Sequence, residues 1–136
     1  MKYSAAAGTR VLGVDDNSDW VEDLSWFLTA CGFRVVGQAH SGQEAVEIAK
    51  RTNPDVVIMD CYMEEGRRAG VDAIPAILNV SPSTLVILFT AYSSPTACAA
   101  ALSLGASAYL DKPMELDRLA RAIFEVQQGR KSLLSG

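Results

Sequence analysis

Apolar residues gather in five short blocks, at 11–14, 33–39, 56–59, 85–89 and 108–110, and the stretches between them are amphipathic. The blocks are rich in β-branched residues and nearly continuous, which is the pattern of strands buried on both faces of a sheet. Behind a Ser18 cap, Val21, Leu24, Leu28 and Cys31 recur at helical spacing until Gly32 stops them. Ser41 precedes a second helix over 43–51, and a third spans 71–79. Ser94-Pro95 is a cap and first-turn signature for an alanine-rich fourth helix that ends at Gly105. The fifth runs over 115–128, with Leu116, Leu119, Ala120 and Ile123 on one face and Gly129 as its stop. Strand and helix alternating five times predict a doubly wound α/β domain with a parallel sheet covered on both faces, because parallel neighbours need crossover connections. In such a sheet the residues at the carboxyl ends of the strands share one crevice.

Composition narrows the class. With 136 residues and 49% hydrophobic content, the chain can bury the core of one domain, expected over about 9–129, with looser ends at 1–8 and 130–136. The net charge is −4 and no basic stripe interrupts it, so direct nucleic-acid binding by this chain is not expected. Cys31, Cys61 and Cys98 lack paired spacing and sit in apolar segments, as reduced core thiols do. No signal sequence opens the chain and no apolar run is long enough for a membrane span, so a cytoplasmic location is expected.

The strand ends carry the chemistry. The first block finishes in Asp15-Asp16, the third in Asp60 and the fourth in Thr90-Ala91, while the fifth leads into Lys112-Pro113. Three carboxylates brought together repel one another unless a cation intervenes, so the cluster predicts a hard divalent metal, with Mg²⁺ the first candidate. A lysine and a hydroxyl facing a metal-bound carboxylate suit a phosphoryl group, whose oxygens need donors and positive charge on several sides. Asp60 would then be the nucleophile that forms an aspartyl phosphate.

With "VLGVDDN", "PDVVIMD", "FTAY" and "GASAYLDKP" in register, residues 9–129 resemble a response-regulator receiver domain of two-component signalling, most like receivers attached to helix-turn-helix output domains. The resemblance implies a flavodoxin-like (βα)5 sandwich with strand order 2-1-3-4-5. It implies Asp60 as phosphoacceptor from a sensor histidine kinase or phosphotransfer protein, in a Mg²⁺-dependent reaction. Asp16 would bind the ion directly, Asp15 would assist, and the backbone carbonyl of Tyr62 would be a further ligand. Thr90 and Lys112 would hold phosphoryl oxygens, and Tyr109 would be the switch aromatic that turns inward as Thr90 moves. The Lys112-Pro113 bond would be cis. Tyr62 and Tyr92 would border the path of a hydrolytic water, which predicts slow loss of the phosphate. Homodimerisation on phosphorylation and an output domain beyond Gly136 are both compatible with the resemblance; so is a stand-alone regulator.

Plainer readings stand beside these. Tyr109 has the pattern of an ordinary half-buried strand aromatic, and His40 that of a structural neighbour of the Ser41 cap. Cys61 reads as packed under the sheet, and the Trp20 and Phe27 pair as core. A receiver-like protein-binding platform that works without phosphorylation is the alternative function. An aspartyl-phosphate phosphatase would carry a second aspartate where Tyr62 stands, and "VDDNSDW" is no phosphate-binding glycine loop. The family's proline and glycine after the phosphoacceptor are replaced by Glu64 and Arg68, which implies an insertion of about two residues, with Gly70 taking the glycine role before the third helix. The resulting loop, "EEGRRAG", is expected to be mobile. Its Glu64 or Glu65 would reach the metal and Arg67 and Arg68 a partner, or else the loop is only a solvated surface.

Overall fold

The five apolar blocks become the strands β1 (Arg10–Val14), β2 (Arg34–Ala39), β3 (Val56–Met59), β4 (Leu85–Thr90) and β5 (Ala108–Asp111) in a computed structural model that describes residues 8–66, 68–91, 94–112 and 115–129. All pairings are parallel and the order is β2-β1-β3-β4-β5. The doubly wound, flavodoxin-like expectation is met. β3 is buried throughout, whereas β2 departs from the buried pattern because it is an edge strand, with Arg34 and Gln38 exposed and Val35 and Val36 half-buried.

Alternate residues of each central strand feed two cores. One face carries Leu12, Val57, Met59, Leu88 and Tyr109 beneath α2 (Gly42–Thr52), α3 (Ala69–Val80) and α4 (Pro95–Ser103). The other carries Val11, Ile58, Ile87, Phe89 and Leu110 beneath α1 (Ser18–Ala30) and α5 (Leu116–Gln127). Among the described residues no helix is long and apolar enough to cross a membrane.

Local chemistry sets the helix boundaries. Asn17, not Ser18, caps α1: its backbone is extended and its side chain accepts the N–H of Trp20 at 3.1 Å, while Ser18 is already helical. Ser41 and Ser94 cap α2 and α4 as expected, and Pro95 opens α4. His40 belongs to the α2 cap: its N–H donates to the Glu44 carboxylate at 2.6 Å, a variant of the capping box. Helix α3 starts earlier than expected, so Gly70 lies in its first turn. A Cβ there would collide with the carbonyl oxygen of Asp60 and sit 2.9 Å from Cys61 Cα. Only glycine lets α3 start against the backbone of β3's end, and the Gly70 N–H donates to the Cys61 carbonyl at 3.0 Å.

Candidate functional site

The ends of β1, β3 and β4 and the turn after β5 meet at one edge of the sheet. Asp15 is buried there, and its two oxygens have separate partners: Oδ1 accepts the Asn17 N–H at 3.0 Å and Oδ2 the Lys112 ammonium at 2.7 Å. Lys112 Nζ also lies 3.6 Å from Asp60 Oδ2. Asp60 accepts the Tyr62 N–H at 3.1 Å and is hydrogen-bonded by the side chain of Thr90, which is fully buried. Asp16 is exposed on the rim beside Asp15 and accepts the Glu64 N–H. The structure thus gathers Asp15, Asp16, Asp60, Thr90 and Lys112, the residues singled out from the strand ends.

Burial raises the Asp60 carboxyl above its ordinary 3.8, and the Tyr62 N–H, the Lys112 charge and the Thr90 contact work against that rise. Asp16 is raised as well, by partial desolvation and then by the neighbouring Asp15 charge. The cluster is therefore under electrostatic load, which Lys112 relieves for Asp15 and Asp60 but not for Asp16. All the donors are hard oxygens, of the kind that Mg²⁺ or Ca²⁺ takes. Among the described residues no three acidic, histidine or cysteine side chains close into a complete metal cage.

Tyr109 stands on the same sheet face as Thr90, and only 5% of its surface is exposed. Its hydroxyl donates to Cys61 Sγ and accepts the Ser94 N–H at 3.4 Å. Cys61 is buried, as expected, and burial pushes its thiol up to about 12. Cys31 and Cys98 are only half-buried. The Tyr62 side chain is partly exposed beside the site. Tyr92, Pro113 with its expected cis bond, and Arg67 lie outside the described residues, as do 1–7 and 130–136.

Specific hydrogen bonds hold the described residues of the loop after β3. Met63 and Gly66 pair through two backbone hydrogen bonds, Met63 is buried, and Glu65 turns away from the carboxylates to accept the N–H groups of Gly42 at 2.5 Å and Gln43 at 3.3 Å. A groove of about 280 Å³ beside it is lined by Gly42, Val46, Glu65, Ala69 and Ala73 and by none of Asp15, Asp16 and Asp60.

Trp20 packs against the core with Phe27, as expected, and also meets a charge. It is half-buried, packs at 5.5 Å and 57° against Phe89, and presents its ring to Lys112 Nζ, 3.8 Å from the centroid. Its spacing in the sequence reads as core, and nothing local announces a partner far along the chain.

Comparison with known proteins gives a consistent picture. A model described as the response regulator receiver domain matches residues 11–124. Chemotaxis protein CheY of Thermotoga maritima is 35% identical over 121 residues, covering 89% of this chain and 99% of that protein. Transcriptional regulatory protein PdtaR of Mycobacterium tuberculosis is 41% identical over 119 residues, which are 88% of this chain but 57% of PdtaR, so the chain spans little more than half of that relative. A solved response regulator from Burkholderia pseudomallei, containing a phosphorylated aspartic acid, a calcium ion and citrate, superimposes with a TM-score of 0.77 at 25% identity, over 89% of this chain and 72% of that one.

Proposed function

Because this chain belongs to the response-regulator receiver family, a signalling module of two-component systems, we propose that Asp60 is its phosphoacceptor. A carboxylate oxygen of Asp60 attacks the phosphorus of a phosphohistidine on a sensor kinase or phosphotransfer protein. The O–P bond forms as the P–N bond breaks, and the imidazole leaves with the electron pair. The observation that carries this reading is the placement of the Lys112 ammonium 3.6 Å from Asp60 with the Thr90 side chain on the same carboxylate. A cation and a hydroxyl already stand where phosphoryl oxygens would arrive.

Asp15, Asp16, Asp60 and the Tyr62 carbonyl would hold a divalent cation, which we take to be Mg²⁺. The oxygen-only donor set and the calcium in the related phosphorylated regulator support a divalent ion, and an incomplete protein cage suits an ion that keeps several waters. When bound, that ion supplies positive charge that offsets the carboxylates and the incoming phosphoryl oxygens. Lys112 and Thr90 do the rest of the holding. Thr90 and Tyr109 on one sheet face would carry the change to α4, β5 and α5, where partners or a second copy would read it. The length of PdtaR beyond the match supports an output domain following a single receiver unit. Three unpaired cysteines fit a cytoplasmic setting.

Incubation with Mg²⁺ and acetyl phosphate, followed by intact-mass measurement, tests the assignment. One added phosphate in the parent and none in Asp60→Asn is expected. No phosphate under any condition would favour the phosphorylation-independent platform.

A further inference from the structure

We propose that Trp20 is a positioning residue for Lys112, its indole face holding the ammonium where it can meet a phosphoryl oxygen on Asp60. The inference rests on the phosphoacceptor reading above and adds a residue to it.

The geometry has three sides. Lys112 Nζ is 2.7 Å from Asp15 Oδ2, 3.6 Å from Asp60 Oδ2 and 3.8 Å from the Trp20 ring centroid. Phe89 is further off, at 5.7 Å from the same nitrogen, and serves mainly to buttress the indole at 5.5 Å. An ammonium within about 6 Å of an indole centroid is attracted by the negative face of the ring, and indole is the strongest of the aromatic partners. The attraction is greater where water is excluded, and the Lys112 side chain is only 16% exposed.

The indole is itself placed by the chain's first motif. Asn17 follows the acidic pair directly, and its side chain accepts the backbone N–H of Trp20 at 3.1 Å, which fixes where α1 begins. The residues that open α1 therefore set the carboxylate Asp15 and the ring of Trp20 on two sides of one cation. A lysine side chain has several rotatable bonds and gives up much rotamer freedom when ordered. Without the ring, the ammonium keeps its carboxylates but gains a solvent-side route away from Asp60.

The test replaces Trp20 by fluorinated tryptophans of rising fluorine content in a Trp26→Phe background; Trp26 is 76% exposed, so its loss leaves the core untouched. Fluorination drains the negative ring face with little change of shape. The initial rate of phosphorylation by acetyl phosphate with Mg²⁺ is expected to fall progressively, by about threefold to tenfold across the series, while Tm holds steady. Independently, the Lys112 ε-methylene protons should show an upfield ring-current shift in NMR spectra that disappears in Trp20→Leu. A rate unchanged across the series in a phosphorylated parent, or the absence of that shift, would overturn the role of Trp20 alone. A parent that accepts no phosphate would overturn the Asp60 reading and this inference together.

Discussion

Tyr109 joins two parts of the molecule through one oxygen, donating to the Cys61 thiol next to the Asp60 carboxylate and receiving the N–H of Ser94 at the start of α4. The same contact has a signature at alkaline pH. Burial pushes the Cys61 thiol from 9.0 up to about 12, and burial followed by the proximity of Cys61 pushes the Tyr109 phenol up from 10.0. The unfolded chain releases the thiol proton near 9, whereas the folded chain keeps it until about 12, so unfolding releases a proton in that window and stability falls as pH rises through it. Stability from this source is complete below pH 9. Urea titrations at pH 8 and 10.5 should show a loss in the parent that is clearly smaller in Cys61→Ala; equal losses would mean that the thiol is not protected.

Among the elements, the loop between β3 and α3 departs most from the family's spacing, and the structure gives its two glutamates different work. Glu65 satisfies two N–H groups at the start of α2, while Glu64 donates its N–H to Asp16. Glu65→Ala should therefore destabilise the domain by about 1 kcal/mol, as loss of a helix cap does, and leave Mg²⁺ affinity unchanged by titration. Weakened Mg²⁺ binding would return Glu65 to the metal. The strands, the helices and the acidic and basic strand ends were legible because period and terminal residue type are local properties of a sequence. The capping of α1 by Asn17 was not, because Asn and Ser side by side are both good caps and the backbone decides between them. Gly70 was legible as necessary but not as helical, since its constraint comes from the backbone of Asp60 and not from a turn. Trp20 was legible as packing on the core but not as a neighbour of Lys112, because the cation over its ring comes from the carboxyl end of β5.

At the scale of the whole molecule, two dry cores support an acidic edge that works against them. Burial raises the folded-state pKa of Asp60, so the folded protein holds that proton more tightly than the unfolded chain. As pH rises from about 3.8 through the raised folded value, stability is lost. Asp60→Asn should then raise Tm by roughly 2–6 °C at pH 7 without divalent cations, because Lys112 retains Asp15 at 2.7 Å. The gap should close below about pH 4, and calorimetry with and without the substitution checks both ends; a lower Tm for Asp60→Asn at pH 7 would refute the penalty. The same edge is assembled from distant parts of the chain, for Lys112 and Asp15 lie 97 positions apart. Synthesis proceeds from the amino end, so a growing chain exposes Asp60 well before the lysine that completes its surroundings has left the ribosome. An unfinished chain thus carries Asp60 without its cation, and on the proposed function competence to receive a signal comes last in the birth of the molecule, once β5 has docked.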